Sequence, residues 1–102
     1  MRRRLIVLSA AALALAACAE NGTPVARGKQ VYLAQCIACH NSDPAKNGTL
    51  GPAIKGSSRE LLEAKLLRGS YPPRYTPKRN TAIMPPQPQL ERNIPDLAAF
   101  LK

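Results

Sequence analysis

The chain has no tryptophan, one phenylalanine and three tyrosines in 102 residues. So small a domain with so little aromatic bulk buries too little apolar surface to stand alone, and it calls for a bound group. There is one histidine, and only two of the three cysteines lie close together. A closed zinc site needs four ligands, and no second Cys pair or second His is present to complete one. No convincing buried strand can be found, which removes the alternating strand and helix context of a thioredoxin-like redox pair. Acidic residues number six against fifteen Lys and Arg. Basic residues without interleaved aromatics nevertheless make a poor surface for nucleic-acid strands. The one long apolar run, residues 5–19, is too short for a permanent transmembrane helix.

What is present begins with Cys36-Ile37-Ala38-Cys39-His40. Two thiols three residues apart, followed at once by an imidazole, form the c-type haem attachment signature. On one helical turn both sulfurs face the same side, where each can form a thioether with one vinyl group of a haem. His40 then brings a ring nitrogen under the iron, a role imidazole suits as a neutral nitrogen donor. One motif implies one haem c, covalent through Cys36 and Cys39. A plain disulfide with His40 incidental is the competing reading in an exported protein.

The amino terminus reads as a secretory signal: Met1-Arg2-Arg3-Arg4 is charged, residues 5–17 are apolar and small, and Cys18 follows. Leu15-Ala16-Ala17-Cys18 resembles the lipobox of bacterial lipoproteins. That resemblance implies cleavage before Cys18 and a diacylglycerol on its sulfur. Ordinary cleavage after Ala19 is the alternative, and it would discard Cys18. The expected organisation is a signal over residues 1–17, a tether over 18–23 and a domain over 24–102. The expected location is the periplasmic side of a bacterial membrane, with a lipid anchor on Cys18. Three of the fifteen cationic residues fall in the leader, so the remaining 85 residues carry twelve against six acidic ones, a net +6. Two ionised haem propionates lower this to about +4, which still favours redox partners with acidic docking surfaces.

Along the domain, Thr23-Pro24 predicts a helix start, with the helix running to about Cys36. Gly28, Tyr32 and Cys36 fall four apart on one face. Residues 41–49 are rich in turn formers and lead to Leu50-Gly51-Pro52. Ser57 with Glu60 predicts a capping box for a second helix through Leu61, Leu62, Ala64, Leu66 and Leu67, closed by Gly69, whose apolar face walls the haem pocket. Residues 70–89 hold six of the ten prolines and predict an extended loop. Within it, Met84 is the one methionine beyond the leader. A last helix is expected from an Asn93 cap, with Pro95 in its first turn.

Four landmarks in this order resemble class I cytochromes c over residues 24–102: the Cys-x-x-Cys-His motif, Gly51-Pro52, Met84-Pro85 and the terminal Asp-Leu-Ala-Ala-Phe-Leu-Lys. The resemblance implies a small all-α fold of about three main helices packed around one covalently bound haem. It implies that the Pro52 carbonyl accepts a hydrogen bond from the His40 nitrogen not on iron, and that Met84 is the second iron ligand. It also places Leu97 and Phe100 across the first helix at Gly28 and Tyr32. The implied role is that of an electron carrier rather than an enzyme, serving periplasmic or membrane-associated redox partners. A cytochrome subunit of a larger oxidoreductase is one alternative, and a sensor with an open iron, which requires a displaceable Met84, is another. The Pro-rich stretch before Met84 departs from the family pattern. There Tyr71, Arg74 and Tyr75 are candidates for pocket or propionate contacts.

Overall fold

A computed structural model describes residues 22–102. The signal over 1–17, Cys18 and most of the tether lie outside the described residues. Among the described residues there are three α-helices, one 3-10 helix and no strand: α1 (Pro24–Gln35), α2 (Arg59–Arg68), the 3-10 helix (Pro88–Asn93) and α3 (Ile94–Leu101). No helix among them is long and apolar enough to cross a membrane.

Helix α1 starts as its sequence predicts. Thr23 is extended, and its hydroxyl accepts the Ala26 N–H at 3.1 Å, while Pro24 supplies a first-turn residue with no donor to satisfy. Gly28 and Tyr32 are the buried residues of this helix. A β-carbon on Gly28 would lie 2.0 Å from the Asp96 carbonyl oxygen and 2.9 Å from Phe100 Cβ. Only glycine lets α1 and α3 cross this closely. The Tyr32 and Phe100 rings meet beside the crossing at 5.5 Å between centroids. Arg27 clamps its rim with two bonds to the Asp96 carboxylate, at 2.9 and 3.2 Å. The hydrogen bond to Asp96 raises the Arg27 pKa above its ordinary value.

The core is aliphatic around one aromatic: Tyr32, Leu62, Leu66, Leu90, Ile94, Leu97 and Leu101 form a single cluster. Each such aliphatic side chain contributes roughly 1.5–3 kcal/mol when fully buried. Six of them around one tyrosine make a thin core, as the scarcity of aromatics foretold.

The start of α2 differs from the expectation by one residue. Ser58, not Ser57, is the cap: it is extended, and its hydroxyl accepts the Leu61 N–H at 3.1 Å. Ser57 instead donates its hydroxyl to the Ile54 carbonyl at 2.6 Å, closing the turn that Gly56 enters at φ +86°. The Ser57 hydroxyl is turned toward that carbonyl, and the extended Ser58 one residue later presents the capping oxygen. Gly69 ends the helix as expected, in the left-handed region at φ 64°.

The entry to α3 also differs. Asn93 has helical backbone and makes no side-chain cap bond, because the 3-10 helix runs straight into α3 and the Ile94 N–H is taken by the Glu91 carbonyl. That 3-10 helix takes in Pro88 and Gln89, so the extended stretch ends two residues before the expected boundary. The rest of 70–87 is irregular but tied down, with the Gln87 N–H donating to the Leu66 carbonyl at 2.7 Å.

Candidate functional site

The turn after α1 presents the motif. The Cys36 carbonyl accepts from both Cys39 N–H (3.3 Å) and His40 N–H (3.0 Å), which curls the chain so that Cys36, Cys39 and His40 line one cavity of about 380 Å³. Leu61, Leu62 and Leu66 of α2 and Leu97 and Leu101 of α3 supply apolar wall. Pro52 and Met84 line it too, so the five cavity residues expected from sequence surround one space.

His40 is held from two sides. Its Nδ1 lies 2.9 Å from the Pro52 carbonyl oxygen, an acceptor that requires Nδ1 to carry the proton and leaves the Nε2 lone pair free for a metal. The Gly51 backbone backs the ring so closely that a β-carbon there would stand 2.4 Å from Cε1. The connecting loop is wound tightly to bring Gly51 and Pro52 to this place. The Leu50 and Gly51 N–H groups both donate to the Cys39 carbonyl, at 3.2 and 2.9 Å. Asn47 Oδ1 accepts the Ala53 N–H at 3.0 Å. The Tyr32 hydroxyl donates to the Asn41 carbonyl, so this core residue also anchors the peptide just after His40. Its sequence position marked it for the core only.

Cys36 is half-buried, and burial pushes its thiol up to about 11. Met84 is partly buried against the core cluster. Its loop is pinned to α2 by the Gln87 bond to Leu66 and by Pro86, whose Cγ would stand 3.0 Å from a β-carbon on Gly69.

Two of the three candidate propionate contacts line the cavity. Tyr71 and Tyr75 stack at 5.4 Å, nearly parallel at 10°. Arg74 does not line it: it sits exposed in the turn between the two tyrosines at φ 68°. The cations that do are Lys65, Lys78 and Arg79. Nothing in their local sequence marks them, since a loop and a helix from different parts of the chain bring them together.

The chemistry of the donor set fits a haem: two thiols, an imidazole with its outer nitrogen tied back and a thioether, within mostly apolar walls. The family model that matches is that of cytochrome c, over residues 25–102. The chain belongs to the cytochrome c family. No curated protein and no solved structure matches it. As a cytochrome c domain it carries a covalently bound haem c, and Cys36 and Cys39 have the spacing of the family's haem-binding motif. Its general role is haem-based electron transfer.

Proposed function

We propose that this cytochrome c is an exported, membrane-tethered carrier of single electrons, with His40 and Met84 as iron ligands and Cys36 and Cys39 as the thioether anchors. The observation that carries the ligand assignment is the His40 Nδ1 to Pro52 carbonyl bond, which leaves Nε2 unencumbered on a ring that lines the same cavity as Met84. The haem supplies one electron by cycling between ferric and ferrous iron. The chain's own residues do the rest. Cys36 and Cys39 fix the group to the backbone, Pro52 holds the imidazole in one tautomer, and the leucines of α2 and α3 keep water from the site. Ligation by a thioether and an imidazole in an apolar cavity would favour the reduced state and raise the potential.

The excess of cations supports redox partners with acidic docking faces, and the lipobox at Cys18 supports attachment on the periplasmic side of a bacterial membrane. The five residues between Cys18 and α1 reach at most about 18 Å, so partners would meet the domain by diffusion along a surface. Transfer to such a partner is expected to slow as salt rises; a rate indifferent to ionic strength would overturn the acidic-face reading.

The test of the central assignment is spectroscopic. Oxidised and reduced spectra are expected to show a six-coordinate, low-spin haem, and the colour is expected to stay with the denatured chain after acid extraction. Loss of all haem from the denatured chain would refute thioether attachment. Mass spectrometry of the mature terminus tests the anchor, and a chain beginning at Glu20 would sink it.

A further inference from the structure

We propose that Asn47-Gly48 is a site of spontaneous modification, where the Asn47 side-chain amide is kept while the loop after the motif is closed and lost as ammonia when it opens. A glycine after an asparagine leaves its backbone nitrogen unhindered and free to turn on the preceding side chain. The Gly48 nitrogen bonds to Asn47 Cγ, its proton leaves with the side-chain nitrogen as ammonia, and a succinimide ring remains. Water then opens the ring at either carbonyl, giving aspartate or isoaspartate. The sequence of steps is hydrolysis and needs no oxidant or reductant.

The closed loop holds both reacting groups out of this reaction. The Gly48 N–H donates to the Gly51 carbonyl at 2.9 Å. Asn47 Oδ1 accepts the Ala53 N–H at 3.0 Å, and the Asn47 carbonyl accepts from Asn41 Nδ2 at 3.3 Å. Attack requires the nitrogen to leave the first bond and the amide to rotate out of the second, so the reaction waits on local opening. The loop nevertheless needs both residues. Gly48 is not in the left-handed region; it is there for room. A β-carbon on it would stand 2.7 Å from the Asn41 nitrogen and from the His40 carbonyl carbon, and closer still to the Cys39 carbonyl oxygen. Asn47 is there for its oxygen, which fixes Ala53 next to the Pro52 carbonyl that holds His40. Their adjacency builds a labile pair into the loop that braces His40. Asn47 is exposed, so water reaches the ring once it forms.

The two products differ in consequence. Aspartate keeps an oxygen for the Ala53 N–H. Isoaspartate routes the backbone through the former side chain and adds a carbon to it where Gly48 has no space. The Gly48 bond to Gly51 and the Leu50 and Gly51 bonds to the Cys39 carbonyl then cannot all re-form, and Pro52 loses its place against His40. The domain depends on its bound group for stability, so the chain exposed to this loss is the one still without haem.

Peptide mapping by mass spectrometry reads the conversion at Asn47 in holoprotein held at mildly alkaline pH, native and in denaturant. The other such pair, Asn21-Gly22, falls in a separate peptide. Conversion at Asn47 is expected to be at least about tenfold faster in denaturant, because only the locally opened fraction reacts in the native protein. Asn41→Ala, lacking one of the three bonds, is expected to convert severalfold faster than the parent under native conditions. The full chain with Cys36→Ser and Cys39→Ser, left without haem, is expected to convert near the denatured rate. On return from denaturant, aspartate chains are expected to regain the parental visible spectrum and isoaspartate chains to fail. The mapping counts the products whatever ligates the iron, so a failure here is distinct from a failure of the Met84 assignment. Native conversion as fast as in denaturant, a haem-free chain as slow as native holoprotein, or isoaspartate chains that regain the parental spectrum would overturn the proposal.

Discussion

The Gly51 backbone lies against the His40 ring so closely that a β-carbon placed there would stand 2.4 Å from Cε1, 2.5 Å from Nδ1 and 2.9 Å from Nε2. The ring has no room to retreat while Nδ1 holds the Pro52 carbonyl at 2.9 Å. Any side chain at 51 therefore breaks that bond or displaces the ring. Gly51→Ala is expected to cost about 1–3 kcal/mol in holoprotein stability, the range of an overpacked core. It is also expected to perturb the His40-dependent visible spectrum. Denaturant melts followed in the visible band check both at once, and an alanine variant with parental midpoint and spectrum would contradict the packing described.

A second close approach serves the scaffold rather than the site. Gly28 meets the Asp96 carbonyl across the α1 and α3 crossing, so Gly28→Ala must push the helices apart, again at about 1–3 kcal/mol. It touches no part of the cavity, and the neutral-pH spectrum is expected to be unchanged while the melting midpoint falls. Arg27→Ala removes the clamp on Asp96. Arg27 is exposed, so the loss is expected to be small and to vanish in high salt.

The corrected start of α2 gives a third prediction. Ser58→Ala removes the acceptor of the Leu61 N–H and is expected to destabilise the holoprotein by about 1 kcal/mol, with Ser58→Asn restoring most of it. Chemical denaturation of the three proteins suffices, and an alanine variant as stable as the parent would return the cap to another residue.

What the sequence disclosed and what it hid divide along physical lines. The Cys-x-x-Cys-His turn, the Thr23 cap and the Gly69 stop depend on residues within one helical turn of each other, so spacing alone reveals them. Gly28 was also readable, because the family resemblance supplied the distant partner it makes room for; for Gly51 it supplied only the neighbouring Pro52 bond to His40, and the close approach to the ring is a finding of the structure. The cap of α2 was misplaced because Ser57 and Ser58 are both competent. The choice falls to a turn at Gly56 whose left-handed backbone the sequence does not print. Asn93 looked like a cap because it precedes an amphipathic run, yet the 3-10 helix before it already supplies the helical backbone. Arg74 stands near two tyrosines in the sequence, but adjacency in an irregular loop says nothing of direction. The cations that reach the cavity do so through a path fixed at Leu66 and Ala53, contacts of long range that no local pattern encodes.

Met84 separates the carrier from the sensor. The chain holds one histidine, which is committed beside Pro52, so no second imidazole can close the other side of the iron. Met84 is the only thioether beyond the leader, and its loop is braced against α2 by Gln87 and Pro86. As the proposed ligand, a side chain in a loop braced in this way would resist displacement, and an iron closed on both sides would change charge with little rearrangement. Met84→Ala is therefore expected to keep the covalent haem, lower the potential and open the iron to water or added cyanide. Met84→His is expected to restore six-coordination at a potential below that of the parent, because imidazole stabilises the ferric state better than a thioether does. Potentiometry with cyanide titration of the three proteins decides between the readings. Parental ferric protein that binds cyanide fast and tightly, or an alanine variant with unchanged spectrum and potential, would remove Met84 from the iron and put the ligand-binding alternative ahead.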